Sequence, residues 1–192
     1  MVSSDHFSFM YLSTKYYSFA IILSIRNGIY ISDTLITNHH HMASIDELRA
    51  ERIKKLEALT ASGKMGYPAS STRTHEMSSI LTNFSVLESS QEKVIVTGRV
   101  MSSRGQGAIA FIDLYDGSAR MQVVIKLPES TEEVMNFYRE YVDTGDFIEI
   151  TGTVFVTKSG QQSILVSNVT MLSKSLLPLP DKYHGLQDEE LR

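Results

Sequence analysis

From Ala108 onward the chain alternates between apolar and polar positions. Ala110, Ile112 and Leu114, then Met121, Val123 and Ile125, stand at every second position, with Phe111, Asp113 and Gln122 among the residues between them. That period of two predicts strands with one face against a core. Ala108 to Tyr115 is one such strand, and Asp116-Gly117 turns tightly into the next, Ala119 to Leu127. Lys93 to Ser103 precedes them as a first strand, with Gly98 placed where a barrel strand can bend. Phe147 to Thr157 and Gln162 to Leu172, joined by Lys158, Ser159 and Gly160, supply two more.

Between the third and fourth strands the period becomes helical. Ser130 to Glu133 reads as a capping box, Val134, Phe137, Tyr138 and Tyr141 share a face, and Gly145 is the stop. Ser44 to Glu47 is a second capping box. It opens a helix with Ile45, Leu48, Ile53, Leu56 and Leu59 on one face and Gly63 at its end. The charged face of that helix reads as solvated, with contact to RNA as the alternative. A loop holding Tyr67-Pro68 follows, and then a short helix from about Thr74 to Phe84. The order β-β-β-α-β-β predicts an OB-fold, an all-β barrel of five strands with its helix between strands three and four, preceded by an amphipathic helix. OB-folds bind oligonucleotides, sugars and proteins, so the fold alone assigns no function.

Register narrows the choice. With Ala110, Ile112 and Leu114 inside, Phe111, Asp113 and Tyr115 point outward, and Arg120 and Gln122 of the next strand stand beside them. Aromatic rings next to a cation and an amide suit unpaired bases. Register leaves a second reading open, in which Phe111 is covered by the N-terminal helix or a partner chain.

The 192 residues, 42% hydrophobic, allow one ordinary domain with appendages. A formal charge of −4 excludes a broad cationic surface that holds nucleic acid through phosphates alone. With no cysteine there are no disulfides, Cys-ligated zinc or thiol catalysis, which fits a cytoplasmic protein. Composition breaks at Met42: residues 1–41 carry only Asp5, Lys15, Arg26 and Asp33 as charged side chains. The apolar run Tyr16 to Ile25 is too short to span a bilayer and no cleavage pattern follows it, so neither a membrane segment nor a signal peptide is expected. His39 to His41 lack partners for a metal and read as a polar run. The expectation is a disordered or mis-annotated leader (1–41), a helical region (42–90), the barrel (91–174) and a connector (175–192).

Three stretches resemble a known family. GRVMSSRG (98–105), AFIDLYDGS (110–118) and MQV (121–123) resemble the N-terminal anticodon-binding domain of class II lysyl-tRNA synthetase. LSKS (172–175) followed by PLPDKYHGLQD (178–188) resembles that family's hinge between the OB-fold and the catalytic domain. The likeness runs from about Met42 to Arg192. It implies that Phe111 stacks on the central uridine of the tRNA(Lys) anticodon, that Gln122 packs or bonds on the same base, and that Arg104 contacts bases or phosphates. It places Gln161 where the family often has glutamate, which puts the preference at one anticodon position in question. Asp113 and Tyr115 would help line the platform. The family's ATP and Mg2+ belong to a catalytic domain after the hinge; none of its three motifs is recognisable here, so the expectation is a piece of a lysine-tRNA ligase, inactive alone and homodimeric in its full-length form. His75 and His184 have no partners that would build a catalytic or metal site. The alternatives are a stand-alone single-strand-binding module, the equivalent domain of an aspartyl- or asparaginyl-tRNA synthetase, and a structural module that pairs with a partner chain.

Overall fold

The computed structural model describes residues 22–25, 28–31 and 44–179. The leader's remainder, His39 to His41 and the stretch from Pro180 through His184 to Arg192 lie outside the described residues. The chain divides into two compact units, Met1–Met42 and Ala43–Arg192. In the first, Ile22–Ile25 and Gly28–Ile31 form an antiparallel hairpin with Ile22 opposite Ile31, which the sequence pattern did not predict.

In the second unit five strands close into a barrel: β1 (Lys93–Gln106), β2 (Ile109–Tyr115), β3 (Arg120–Lys126), β4 (Phe147–Val156) and β5 (Gln162–Ser173). The order around it is β1-β2-β3-β5-β4, with β4 returning to β1. All neighbours are antiparallel except β3 and β5, which run parallel from Gln122 opposite Ser163 to Val124 opposite Leu165. Closure leaves no free sheet edge. The alternating apolar set fills the interior as expected: Ala110, Ile112, Leu114, Met121, Val123 and Ile125 are buried with Ile148, Ile150 and Ile164.

Helix α1 (Ile45–Ala61) starts at the expected capping box, in which Glu47 N–H donates to Ser44 Oγ and Ser44 N–H to the Glu47 carboxylate. Its apolar stripe is only partly used. Leu59 is buried, whereas Ile45 and Leu48 at the N-terminal end remain exposed. The expected helix from Thr74 to Phe84 is instead two short ones, α2 (Met77–Thr82) and α3 (Phe84–Ser90), broken at Asn83. Met77, Ile80, Phe84 and Leu87 turn into the barrel core. Between β3 and β4, α4 (Glu132–Tyr141) is capped by Thr131 rather than Ser130. The Ser130 hydroxyl is used elsewhere, donating to Val166 O and accepting from Lys126 N–H inside the core.

The bend in β1 also lies away from Gly98. The register shifts between Val100 and Ser102, so Met101 is an extra residue facing no partner on β2. Gly98 has a different role: a Cβ there would come within 3.0 Å of Met77 Cε and 3.1 Å of Tyr115 O, so the glycine permits close packing. The bulge reverses the side-chain phase of β1. Val94, Val96 and Val100 point inward before it, and an unbroken strand would send Arg104 inward too. With the extra residue, Arg104 pairs with Phe111 on the outer face.

A buried charge network fixes the end of the barrel. Lys174 Nζ, with its side chain fully buried, donates to Tyr141 O (2.7 Å), Asp143 Oδ2 (2.6 Å) and Asp146 Oδ2 (2.7 Å). Lys55 on α1 reaches Asp143 Oδ1 at 2.6 Å, and Ser175 N–H donates to Asp146 Oδ1. Arg52 donates to the carbonyls of Thr144, Ser175 and Leu177, and the Tyr67 hydroxyl to that of Lys174. Helix α1 and the chain leaving β5 are thereby tied to the loop after α4.

Two carboxylates carry an acid dependence. Burial pushes Asp143 upward, but hydrogen bonds and charge from Lys174 and Lys55 outweigh it and hold the carboxyl below its ordinary value. At Asp116 burial is likewise outweighed, here by Met77 N–H, the Ser118 hydroxyl and the N–H groups of Ala119 and Ser118, which pin the β2–β3 turn to the start of α2. Both groups have folded values below the unfolded one, so as pH falls the unfolded chain takes up protons first. Stability is therefore full above about pH 5 and declines below about pH 4, where unfolded aspartates titrate. Urea midpoints at pH 7, 4 and 3 check this; a midpoint constant to pH 3 contradicts it.

Candidate nucleic-acid interface

The outer face of β1, β2 and β3 holds the residues singled out from the sequence. Phe111 on β2 is half-buried, with one side of the ring taken by the exposed Arg104 guanidinium, 5.4 Å from its centroid. Arg104 Nη2 also donates to Gln122 Oε1 at 3.4 Å, and Gln122 Nε2 donates to Ser163 Oγ on β5 at 2.8 Å. Ser163 passes the chain on to Gln161 O at 3.2 Å. The parallel β3–β5 pairing brings this about, since Gln122 lies directly opposite Ser163. A ring, a cation and an oriented amide thus converge from β1, β2 and β3, braced from β5.

Chemically this arrangement offers a flat apolar surface, a planar cation able to stack or to meet a phosphate, and an amide carrying both donor and acceptor. The local charge is positive although the chain is acidic. Arg99, Arg104 and Arg120 share the face with Asp113, which Arg120 approaches at 3.9 Å. Tyr115 sits one row below, with Arg120 5.7 Å over its ring and its hydroxyl donating to Gly117 O.

Gln161 stands apart from the platform in its bonding. Its backbone closes the β4–β5 turn, donating to Thr157 Oγ1 and accepting from Thr157 N–H. Its side chain is exposed and has no hydrogen bond among the described residues. Sequence reasoning overlooked Ser163, whose signal is only a hydroxyl at a strand position that topology places beside Gln122. It also overlooked Phe147, which pairs with Arg99. His75 contacts the Thr74 hydroxyl at 2.7 Å in the loop before α2, where its backbone N–H donates to Ile95 O on β1. Among the described residues no group of His, Cys, Asp and Glu could hold a metal ion, and no helix is long and apolar enough to cross a membrane.

Comparison with known proteins agrees with the geometry. Residues 94–172 match the model of the tRNA anti-codon family, described as an OB-fold nucleic acid binding domain. The chain is 39% identical over 161 residues to the lysine-tRNA ligase of Clostridium botulinum (strain Loch Maree / Type A3), covering 83% of this chain and 31% of that protein. It is 40% identical over 148 residues to that of Clostridium tetani (strain Massachusetts / E88), covering 77% and 29%. A third relative, from Clostridium novyi (strain NT), is 40% identical over 151 residues, covering 78% and 29%. The chain spans about three tenths of the length of the curated relatives it matches.

Proposed function

We propose that this chain, whose residues 94–172 carry an OB-fold nucleic acid binding domain homologous to that of lysine-tRNA ligases, recognises the anticodon loop of tRNA(Lys). The observation that carries the reading is the outward Phe111 ring, flanked by the Arg104 guanidinium and by a Gln122 amide that Ser163 orients. The central base of the anticodon stacks on Phe111. Gln122 meets its edge, and Arg104 contacts the base or the adjoining phosphate. Asp113 and Tyr115 line the face beside them, and Gln161 reads a neighbouring base from the β4–β5 turn with an uncharged amide. In a protein of the relatives' length, the role of this domain is to present the tRNA to ATP-dependent lysylation by a cytoplasmic homodimer. In such a protein ATP and Mg2+ belong to the catalytic domain; among the described residues no group of His, Cys, Asp and Glu could hold the metal.

An anticodon reader discriminates, whereas a general single-strand binder does not. In competition, the tRNA(Lys) anticodon stem-loop is expected to displace a labelled copy of itself at least about tenfold more effectively than the tRNA(Asp) stem-loop, a difference of about 1.4 kcal/mol. Equal displacement by the two loops, with similar affinity for oligo-U and unrelated single-stranded DNA, contradicts the reading.

A further inference from the structure

A second set of rings and cations crosses the same face below Phe111. Arg120 on β3 lies opposite Tyr115 on β2, Tyr115 opposite Arg99 on β1, and Arg99 opposite Phe147 on β4. Side chains in direct register share a face, so these four form one row across four strands. The arginines lie over the rings, Arg120 at 5.7 Å from the Tyr115 centroid and Arg99 at 4.6 Å from that of Phe147. Tyr115 keeps 40% and Phe147 37% of its surface exposed. Tyr115 lies four residues along β2 from Phe111, about 13 Å at strand rise.

We propose that the row Arg120–Tyr115–Arg99–Phe147 is a second stacking station for single-stranded RNA, taking a base at least two nucleotides along the strand from the one on Phe111. The proposal rests on the anticodon reading and extends it beyond the anticodon platform. Its occupant follows from the face. The row is continuous with the Phe111 platform, and its charge suits a polyanion, since Arg99, Arg104 and Arg120 meet only Asp113 there. The next acid outward on β4, Glu149, is already bonded by the Thr72 N–H and hydroxyl. Exposed rings with cations across them form a surface on which bases stack irrespective of sequence, while the guanidiniums meet the connecting phosphates. The station therefore adds affinity and directs the strand, and the discrimination stays at Phe111 and Gln122.

The test uses the 192-residue chain with the oligouridylates rU3 and rU6, the shorter filling one station and the longer able to reach both. In the Phe147→Leu variant the ratio of rU3 to rU6 dissociation constants is expected to fall at least about fivefold below that of the original chain, with rU3 affinity unchanged. Arg120→Gln, a substitution at an exposed side chain, is expected to reduce the salt slope for rU6 by about 0.7 and leave that for rU3 alone. An unchanged ratio overturns the proposal, as does an equal loss for both oligomers. Phe111→Ala separates the two readings: if it leaves rU3 binding intact while the ratio still falls in Phe147→Leu, the Phe111 platform fails and the row stands.

Discussion

Replacing Lys174 by methionine is expected to lower the unfolding free energy by about 3 to 5 kcal/mol, the cost of leaving buried carboxylates without their cation. The ammonium uses all three of its donors, on Tyr141 O, Asp143 and Asp146, and neither it nor the Asp146 side chain meets solvent. Methionine keeps the length and the packing but removes the charge. Asp146 then retains only the N–H groups of Asp143 and Ser175 as partners, and Asp143 retains Lys55. Total stabilities of about 5 to 15 kcal/mol make that a large share, visible as a drop in Tm of about 2 to 4 °C per kcal/mol. Adding Asp146→Asn to the variant is expected to restore part of the loss, because the unpaired charge goes with it. By contrast Lys55→Ala, which removes a half-exposed partner, costs about 1 kcal/mol or less. A Lys174→Met protein as stable as the original chain would show that the network only breaks even. Because Arg52 and Tyr67 hold the carbonyls of Lys174, Ser175 and Leu177, the same variant also loosens the chain leaving β5, which faster amide exchange at Ser175 and Leu177 would register.

How much of this was legible in the sequence depends on the range over which each feature is determined. Alternation in β2 and β3 is local, so Phe111, Asp113 and Tyr115 were placed outward without any knowledge of their neighbours. The capping box at Ser44 is equally local and appears as expected. The pattern puts the cap of α4 at Ser130, but Val166 O, 36 residues away, takes that hydroxyl and Thr131 caps the helix instead. The bulge at Met101 has no marker in the residues around it, yet it decides that Arg104 lies over Phe111. The apolar stripe expected on α1 is shielded only from Ile53 to Leu59, while Ile45 and Leu48 stay exposed. Lys174 was visible as part of the LSKS stretch and nothing more. A lysine reads as exposed unless its partners are known, and here they lie 28 to 33 residues earlier.

The second large effect is on binding. Phe111→Ala is expected to weaken binding of a tRNA(Lys) anticodon stem-loop by about 1 to 3 kcal/mol, the range for removing a stacked ring. Two consequences of the geometry travel with it. Arg104 loses the surface it lies against and with it the placement that serves Gln122, so Arg104→Ala on the Phe111→Ala background costs less than Arg104→Ala alone. Phe111→Tyr, which keeps the ring, retains most of the affinity. Since the ring is half-buried, the alanine variant is to be compared at a temperature where both proteins are folded, which a thermal melt establishes.

Titration of that stem-loop into the original chain and the Phe111→Ala variant, side by side at one salt concentration, tests most directly whether the outer face of β2 reads RNA. A fall in affinity of about five- to 150-fold is the result the stacking geometry predicts. Superimposable titration curves for the two folded proteins would contradict it.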